Sequence, residues 1–352
     1  MTAVLTTGHG GYEMLQYRQD LPRPEPTAGE VLIRVGAAAV NNTDINTRTG
    51  WYSKSVSGAT SEGGASDADD ASWSGAPLGF PLIQGADICG RIVAVGEGVS
   101  AARIGERVIV PTMQPAPGGG PFDTFTVGSE CNGGFAQYVT MRASQAHVVN
   151  SKLSDVELAS FPCAYSTAEN MLHRAGAKAG ETVFITGASG GVGSAAVQLA
   201  RRRGATVIAQ VGGQKASAVM ALGATKTVDR NADLAREVGA QSVDVVIDIV
   251  GGGQWPSLLE ILKRGGRYVV SGAIAGPMVE LDLRTLYLKD LTFFGCTAQH
   301  PDVFPNLVGY IERGEIKPLV AKTFPLRDIV LAQQEFQSKL HVGKIVLVPP
   351  QE

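Results

Sequence analysis

Val183-Phe-Ile-Thr-Gly-Ala-Ser-Gly-Gly-Val-Gly-Ser-Ala-Ala-Val-Gln-Leu-Ala-Arg-Arg-Arg-Gly204 divides into three parts with different periodicities. The β-branched run 183–186 reads as a buried strand, a glycine turn follows, and the apolar spacing of Val197, Leu199 and Ala200 reads as a helix ending at Gly204. A strand that turns through glycines into a helix presents backbone N–H groups and the positive end of a helix dipole to an anion. Side chains would block a dinucleotide pyrophosphate, so Gly190, Gly191 and Gly193 keep the loop open and let helix and strand pack closely. The pattern is Ala188-x-Gly190-x-x-Gly193, with alanine in place of the first glycine and Val192 just before the last. A second strand at 205–210 supplies the context in which such a loop predicts dinucleotide binding rather than a structural turn.

Outward from this loop, strands at 183–185, 206–209, 225–228, 243–249, 267–270 and 291–294 alternate with helical segments. Six short strands in that rhythm predict an α/β fold with a doubly wound parallel sheet of the Rossmann type. This dinucleotide-binding domain is assigned to residues 153–296.

The chain before it has another rhythm. After the turn 22–26, residues 30–35 read as a strand; 90–95 and 107–110 follow, and 133–139 starts another. These predict a mostly antiparallel β domain over 1–152. Residues 158–175 have helical spacing. The C-terminal part shows helices at 307–313 and 329–340 and a strand at 344–348, which return to complete the first domain as residues 297–352. Residues 53–77 are rich in Ser, Gly, Ala and Asp and cannot bury much, so they read as a long exposed loop and a candidate lid.

Composition narrows the function classes. A chain of 352 residues with 44% hydrophobic and 18% charged residues and a net charge of −3 has the profile of an ordinary globular protein. Nothing in that charge favours nucleic acid or an anionic membrane as a partner. The N-terminus lacks a basic segment followed by an apolar core, so a cytoplasmic location is expected. Cys89, Cys131, Cys163 and Cys296 are scattered without a Cys-x-x-Cys pair, so they are expected as reduced thiols.

Five segments together resemble the medium-chain dehydrogenase/reductase superfamily across nearly the whole chain, and its zinc-independent quinone oxidoreductase branch in particular. They are the glycine-rich loop, Gly79-Phe-Pro-Leu-Ile-Gln-Gly-Ala-Asp-Ile-Cys-Gly90, Val95-Gly-Glu-Gly98, Gly133-Gly-Phe-Ala-Gln-Tyr138 and Gly343-Lys-Ile-Val-Leu347. The resemblance implies a GroES-like catalytic domain beside the Rossmann domain. Zinc members hold the catalytic metal with Cys, His and Cys, positions that fall here on Asn41, Ala86 and Cys163. One thiol does not make a catalytic zinc site, and the region 111–131 has one cysteine where a structural zinc needs four. No metal is therefore expected, and Cys163 is expected as a packed helix cysteine.

The second strand of a dinucleotide domain ends on an acid when NAD is preferred. Residues 207–215 contain no acid, and Lys215 and Arg230 match family contacts to the 2′-phosphate, which implies NADPH over NADH. Val250 and Ala273, at the ends of two strands, are expected to border the nicotinamide. At the reacting end Asn41, Thr43 and Tyr52 are the candidate catalytic residues, Tyr52 matching the proposed proton donor of related enoyl thioester reductases. Asp44 reads as a capping carboxylate and Asp87 as a partner for a cation. No histidine receives a role.

The reading is an NADPH-dependent, zinc-independent reductase of a small-molecule quinone or α,β-unsaturated carbonyl, with a homodimer implied by family analogy through residues 291–294. An enoyl thioester reductase, a zinc-type alcohol dehydrogenase homologue and a non-catalytic NADPH-binding protein remain as alternatives.

Overall fold

The computed structural model of the protein describes residues 1–351. It divides into two compact units. One comprises Met1–Val56, Gly63–Cys163 and the chain from Phe304 onward; the other comprises Ser57–Glu62 and Ala164–Val303.

The first unit is built on a seven-stranded sheet. Its strands run in the order His147–Val148, Arg107–Val110, Ile88–Val95, Glu30–Ala39, Lys344–Val348, Val320–Pro325, with Tyr138–Arg142 also paired to Glu30–Ala39. Pairing is antiparallel except between the last two strands of the path. Ile33, Val35, Ile88, Ile92, Val108, Phe135 and Ile345 form its core. The mostly antiparallel β unit expected from sequence is present, and the C-terminal strand lies inside its sheet.

The second unit is a six-stranded sheet in the order Lys226–Val228, Thr206–Gln210, Thr182–Ile185, Val243–Asp248, Leu262–Val270, Thr292–Gly295, parallel throughout. Its central strands are covered on both faces, so Val183, Phe184, Ile185, Val245, Val246 and Ile247 are all fully buried and read as unbroken apolar runs. This is the doubly wound arrangement predicted from the alternating pattern. Among the described residues no helix is long and apolar enough to cross a membrane.

Several boundaries differ from expectation. The strand expected at 30–35 continues to Ala39, and the one expected from 133 starts only at Tyr138. The expected helix 158–175 is two helices, Asp155–Leu158 and Pro162–Arg174, because a proline tolerated in a first helical turn cannot continue a preceding one. Residues 53–77 are less exposed than their composition suggested: Ala71 and Ser72 are buried, and a single helical turn forms at Thr60–Glu62.

Candidate active site

In the parallel-sheet unit, strand Thr182–Ile185 turns into helix Gly191–Arg202 through residues 186–190. The left-handed residue of the turn is Gly187, with φ +56°, one position before the expected first glycine; Ala188 is fully buried, and its N–H donates to the Gln210 carbonyl at 3.0 Å. An alanine is therefore accommodated there because the turn has moved to its neighbour. At Gly193 a Cβ would stand 2.3 Å from the Gly187 carbonyl oxygen, whereas at Gly190 the nearest atom would be 3.5 Å away. Gly193 is thus required by helix–strand packing, and Gly190 leaves open space at the helix N-terminus. The first turn of that helix leaves the N–H groups of Gly191, Val192 and Gly193 without intrahelical acceptors.

The neighbouring strand ends converge on this turn. Asp248 is fully buried; its Oδ1 accepts from the Thr186 hydroxyl at 2.7 Å and the Val250 N–H at 2.9 Å, and its Oδ2 from the Tyr268 hydroxyl at 2.6 Å. A Cβ on Gly187 would meet Val250 Cγ2 at 3.2 Å, and one on Gly251 would meet the Ala273 Cβ at 3.2 Å. Val250 and Ala273 therefore lie where sequence placed them, at strand ends around the glycine turn. The strand Thr206–Gln210 ends on a neutral amide: Gln210 Nε2 donates to Gln254 Oε1 at 3.0 Å and to the Arg230 carbonyl at 3.4 Å. Beyond it, burial and then the nearby Arg230 charge hold the Lys215 ammonium pKa below its usual value. Lys215 and Arg230 thus lie close together beyond a strand that ends without an acid, while Asp229, after the next strand, brings a carboxylate oxygen within 4.0 Å of a Cβ placed on Gly213.

The other candidates lie in the antiparallel unit on helix Asn42–Thr49, whose residues Thr43, Asp44, Asn46, Thr47 and Arg48 are buried although polar. Such burial is costly unless each group is paired. Asp44 caps the helix, as expected: Oδ2 accepts the Asn41 N–H at 2.7 Å and Oδ1 the Gly85 N–H at 3.1 Å. Burial, opposed by those bonds and reinforced by Asp87, raises its carboxyl pKa to about 7. Arg48 reaches Gln333 Oε1 at 3.0 Å and the Gly10 carbonyl at 2.6 Å. Asn46 Oδ1 is the exception, buried with no donor.

Asn41 is drawn into a buried ion pair. Asp87 Oδ2 accepts from Lys344 Nζ at 2.9 Å and from Asn41 Nδ2 at 2.8 Å, Asp87 Oδ1 accepts the Cys163 N–H at 2.6 Å, and Lys344 Nζ also donates to Asn41 Oδ1. The expected cation for Asp87 is Lys344, which sequence analysis had not singled out as a site residue. A lysine opening the otherwise apolar strand Lys344–Val348 was the signal that could have found it, because buried lysines are rare unless paired. Burial, reinforced by Asp87, pushes the Cys163 thiol up to about 12, which suits a packed cysteine and not a nucleophile.

Thr43 and Tyr52 are brought together, with a partner the sequence did not reveal. Trp73 donates its Nε1–H to Thr43 Oγ1 at 2.9 Å and tilts over the Tyr52 ring, centroids 4.9 Å apart; Trp51 packs edge-on to Tyr52 at 5.7 Å. Burial raises the Tyr52 phenol well above its ordinary range, and the nearby Thr43 and Asn46 side chains act in the opposite direction. Tyr52 therefore stays protonated at working pH with hydrogen-bonding groups poised beside it. Of the histidines, His173 and His300 bring their rings within 4.7 Å of each other.

Comparisons with known proteins follow the same division. A family model for the alcohol dehydrogenase GroES-like domain matches residues 27–151, and one for zinc-binding dehydrogenase matches residues 191–313. The quinone oxidoreductase of Lama guanicoe is 30% identical, covering 99% of this chain and 97% of its own. The acryloyl-coenzyme A reductase of Metallosphaera sedula is 28% identical, covering 99% of both chains. A structure solved for an alcohol dehydrogenase candidate of Sinorhizobium meliloti is 48% identical, with a TM-score of 0.90 and coverage of 99% of this chain and 97% of that one.

Proposed function

The chain belongs to the medium-chain dehydrogenase/reductase superfamily, in its quinone oxidoreductase branch, and is an oxidoreductase of that type; on this premise we propose an NADPH-dependent, metal-free reductase of quinones or α,β-unsaturated carbonyls. The observation that carries the proposal is the Lys344–Asp87–Asn41 cluster. Of the three positions at which zinc relatives bind the metal, Asn41 has its amide engaged by an ammonium and a carboxylate, Ala86 offers a methyl group, and Cys163 is a thiol held protonated by burial. That donor set does not fit zinc, which needs three deprotonated or neutral ligands converging on one point. A conjugated acceptor tolerates the lack of a Lewis acid because the incoming electrons delocalise over its π system.

Bound NADPH supplies the hydride. The chain's contribution is to bind, orient and protonate. The N–H groups of Gly191, Val192 and Gly193 suit a pyrophosphate, with Ala188 and Gly190 leaving its approach free; Lys215 and Arg230 suit the 2′-phosphate; Val250 and Ala273 suit the edge of the nicotinamide. Tyr52 holds a proton at Oη for the acceptor oxygen, assisted by Thr43, while Asn41 orders the start of the helix that carries Thr43. The reductase of Metallosphaera sedula favours acyl thioesters as a second acceptor class, since an enoyl thioester is itself an α,β-unsaturated carbonyl.

The test is the loss of NADPH and NADH absorbance over a panel of quinones, enones and enoyl thioesters, with and without chelator, repeated with Tyr52→Phe. Turnover that prefers NADPH, survives chelation and falls about a hundredfold or more in the variant is expected. Turnover lost with the chelator and restored by zinc overturns the metal-free reading.

An apolar face on the second unit supports a homodimer. Met278, Leu283, Tyr287 and Leu288 are 71%, 65%, 61% and 55% exposed, close in sequence to Thr292–Gly295, the edge strand of the sheet. An open edge beside exposed apolar side chains favours pairing with a second copy. Sedimentation should give twice the chain mass, and Leu283→Asp with Tyr287→Lys should give the monomer.

A further inference from the structure

Two buried acids of this chain carry a cation of their own: Asp87 has Lys344 at 2.9 Å and Glu169 has Arg203 at 2.6 Å. Asp248, 0% exposed, has none. Its partners are all neutral: the Thr186 hydroxyl at 2.7 Å, the Tyr268 hydroxyl at 2.6 Å, the Val250 N–H at 2.9 Å and the Gly251 N–H at 3.2 Å. Each of them donates. Thr186 Oγ1 accepts the Ile249 N–H at 3.0 Å and so turns its own proton to Asp248. Burial, reinforced by the Asp248 charge, holds the Tyr268 phenol above its ordinary range, so that hydroxyl keeps its proton and gives it to the carboxylate.

The bonds alone do not call for a charge. An amide at this position accepts the same three bonds at Oδ1, and the Tyr268 hydroxyl can turn to accept from Nδ2. A carboxylate adds a desolvation cost that no cation offsets. Its surroundings also give the charge a direction. On one side the rings of Tyr268, Trp255 and Phe293 pack edge to face, with centroids 5.4–5.8 Å apart, and exclude water. On the other the strand Val243–Asp248 ends, and Ile249 and Val250 are only half-buried. Low-dielectric walls on one side leave the field of a buried charge to act through the open one.

We propose that Asp248 is the fixed countercharge for the oxidised nicotinamide, an electrostatic positioning residue that favours NADP⁺ over NADPH at this site and so favours hydride departure. The inference rests on the reading that the nicotinamide lies against Val250 and Ala273, the former bonded to the carboxylate. Two electrons and one hydrogen leave the ring for the conjugated carbon of the acceptor, and the ring passes from neutral to cationic. A negative charge held in place attracts the cation and is nearly indifferent to the neutral ring, so it contributes more in the transition state than in the ground state. The same charge repels the nucleotide phosphates. Those are identical in the two oxidation states, and their repulsion cancels in the ratio of the two affinities.

The experiment measures binding of NADPH by its fluorescence and of NADP⁺ by displacement, with thermal unfolding, for the parent, Asp248→Asn, Asp248→Ser and Tyr268→Phe. The two neutral variants should raise the ratio of the NADP⁺ Kd to the NADPH Kd about tenfold, the order of magnitude for unit charges about 10 Å apart at an effective dielectric of about 20. Tyr268→Phe removes a bond and keeps the charge, so it should lower thermal stability and leave the ratio unmoved. An unchanged ratio in a folded neutral variant would overturn the countercharge. A ratio that moves as much in Tyr268→Phe would overturn it too, making Asp248 a clamp between strand ends. Failure of both neutral variants to fold beside a folded Tyr268→Phe would assign the charge to the fold and overturn its role toward the cofactor. Parent protein that binds neither nucleotide would remove the nicotinamide placement and the inference together.

Discussion

The glycine turn of the parallel-sheet unit and the polar cluster of the antiparallel unit are assembled in different ways. The turn is one continuous stretch, residues 186–193, whose geometry is set by backbone: a left-handed Gly187, a buried Ala188, and a Gly193 with no room for a Cβ. The cluster joins Asn41 to Asp87, 46 residues on, and to Lys344, 303 residues on, and its geometry is set by charge. A local motif built from backbone has few replacements at each position but needs no distant partner. A cluster built from charge has a partner for every member, and losing one leaves another exposed to a low-dielectric interior.

The largest effect should come from the turn. In Gly193→Ala the new Cβ meets two backbone atoms, Gly187 O at 2.3 Å and Ala188 Cα at 2.7 Å, neither of which can rotate away. A loss of about 4 kcal/mol or more in stability, read by thermal or urea unfolding, together with loss of NADPH binding, is expected. Gly190→Ala is the internal contrast. With 3.5 Å of clearance it should unfold within about 1 kcal/mol of the parent while weakening NADPH binding, because there the missing side chain serves the ligand and not the packing. Equal destabilisation in both variants would break the distinction between the two glycines.

At the cluster, Lys344→Met leaves the Asp87 carboxylate buried without its cation; the two side chains are 3% and 0% exposed. Breaking such a pair from one side should cost about 3–5 kcal/mol, and adding Asp87→Asn should recover part of the loss by removing the stranded charge while keeping an acceptor for the Cys163 N–H. Urea unfolding of the two single variants and the double one measures the coupling. Additive losses would show that charge pairing does not organise this site.

Asp44 adds a pH dependence confined to the cluster. Its carboxyl is raised from 3.8 to about 7, so the folded protein holds a proton that the unfolded chain has released. Below about pH 4 both states are protonated and no penalty applies; as pH rises to 7 the fold must accept an ionised carboxylate facing Asp87, only partly offset by Lys344. Stability should therefore fall between about pH 4 and 7 by an amount on the order of 4 kcal/mol and level off above. Asp44→Asn should be less stable at low pH, having one fewer acceptor for the Asn41 and Gly85 N–H groups, but should lose this slope. An unchanged slope in the variant would assign the dependence to other groups.

The same contrast explains what could be read before any coordinates. The turn, the parallel sheet and the strand-end residues Val250 and Ala273 were legible because their signals are periodic and local. The alanine read at 188 in place of the first glycine is explained by the left-handed residue of the turn being its neighbour, Gly187. Asn41, Thr43 and Tyr52 were legible as candidates only through resemblance. Their partners were not, since Lys344 lies in a strand that looked merely apolar and Trp73 in a stretch whose composition resembles a solvated loop. Residues whose meaning depends on a contact across hundreds of positions carry no signature in a single chain beyond being out of place locally, as a lysine in an apolar strand is.

The smallest effect should come from the rim of the turn, and it bears only on cofactor choice. Lys215 is partly buried and its charge is disfavoured by Arg230, a repulsion that a doubly charged phosphate would relieve. Removing Lys215 therefore weakens binding of the nucleotide that carries the 2′-phosphate and leaves the other unaffected. In Lys215→Ala the Kd for NADPH should rise about tenfold, the worth of one charge-assisted hydrogen bond at a partly solvated site, with the Kd for NADH unchanged. The effect should shrink as salt is added, because both cations stand near solvent, and Arg230→Ala, removing the more exposed of the two, should cost less than Lys215→Ala. Folding should not suffer in either variant, since each removes one of two like charges. The ratio of the two Kd values, measured by fluorescence titration, is the deciding quantity: a ratio in Lys215→Ala equal to that of the parent means that the positive pair beyond Gln210 does not read the phosphate, whatever its effect on overall affinity.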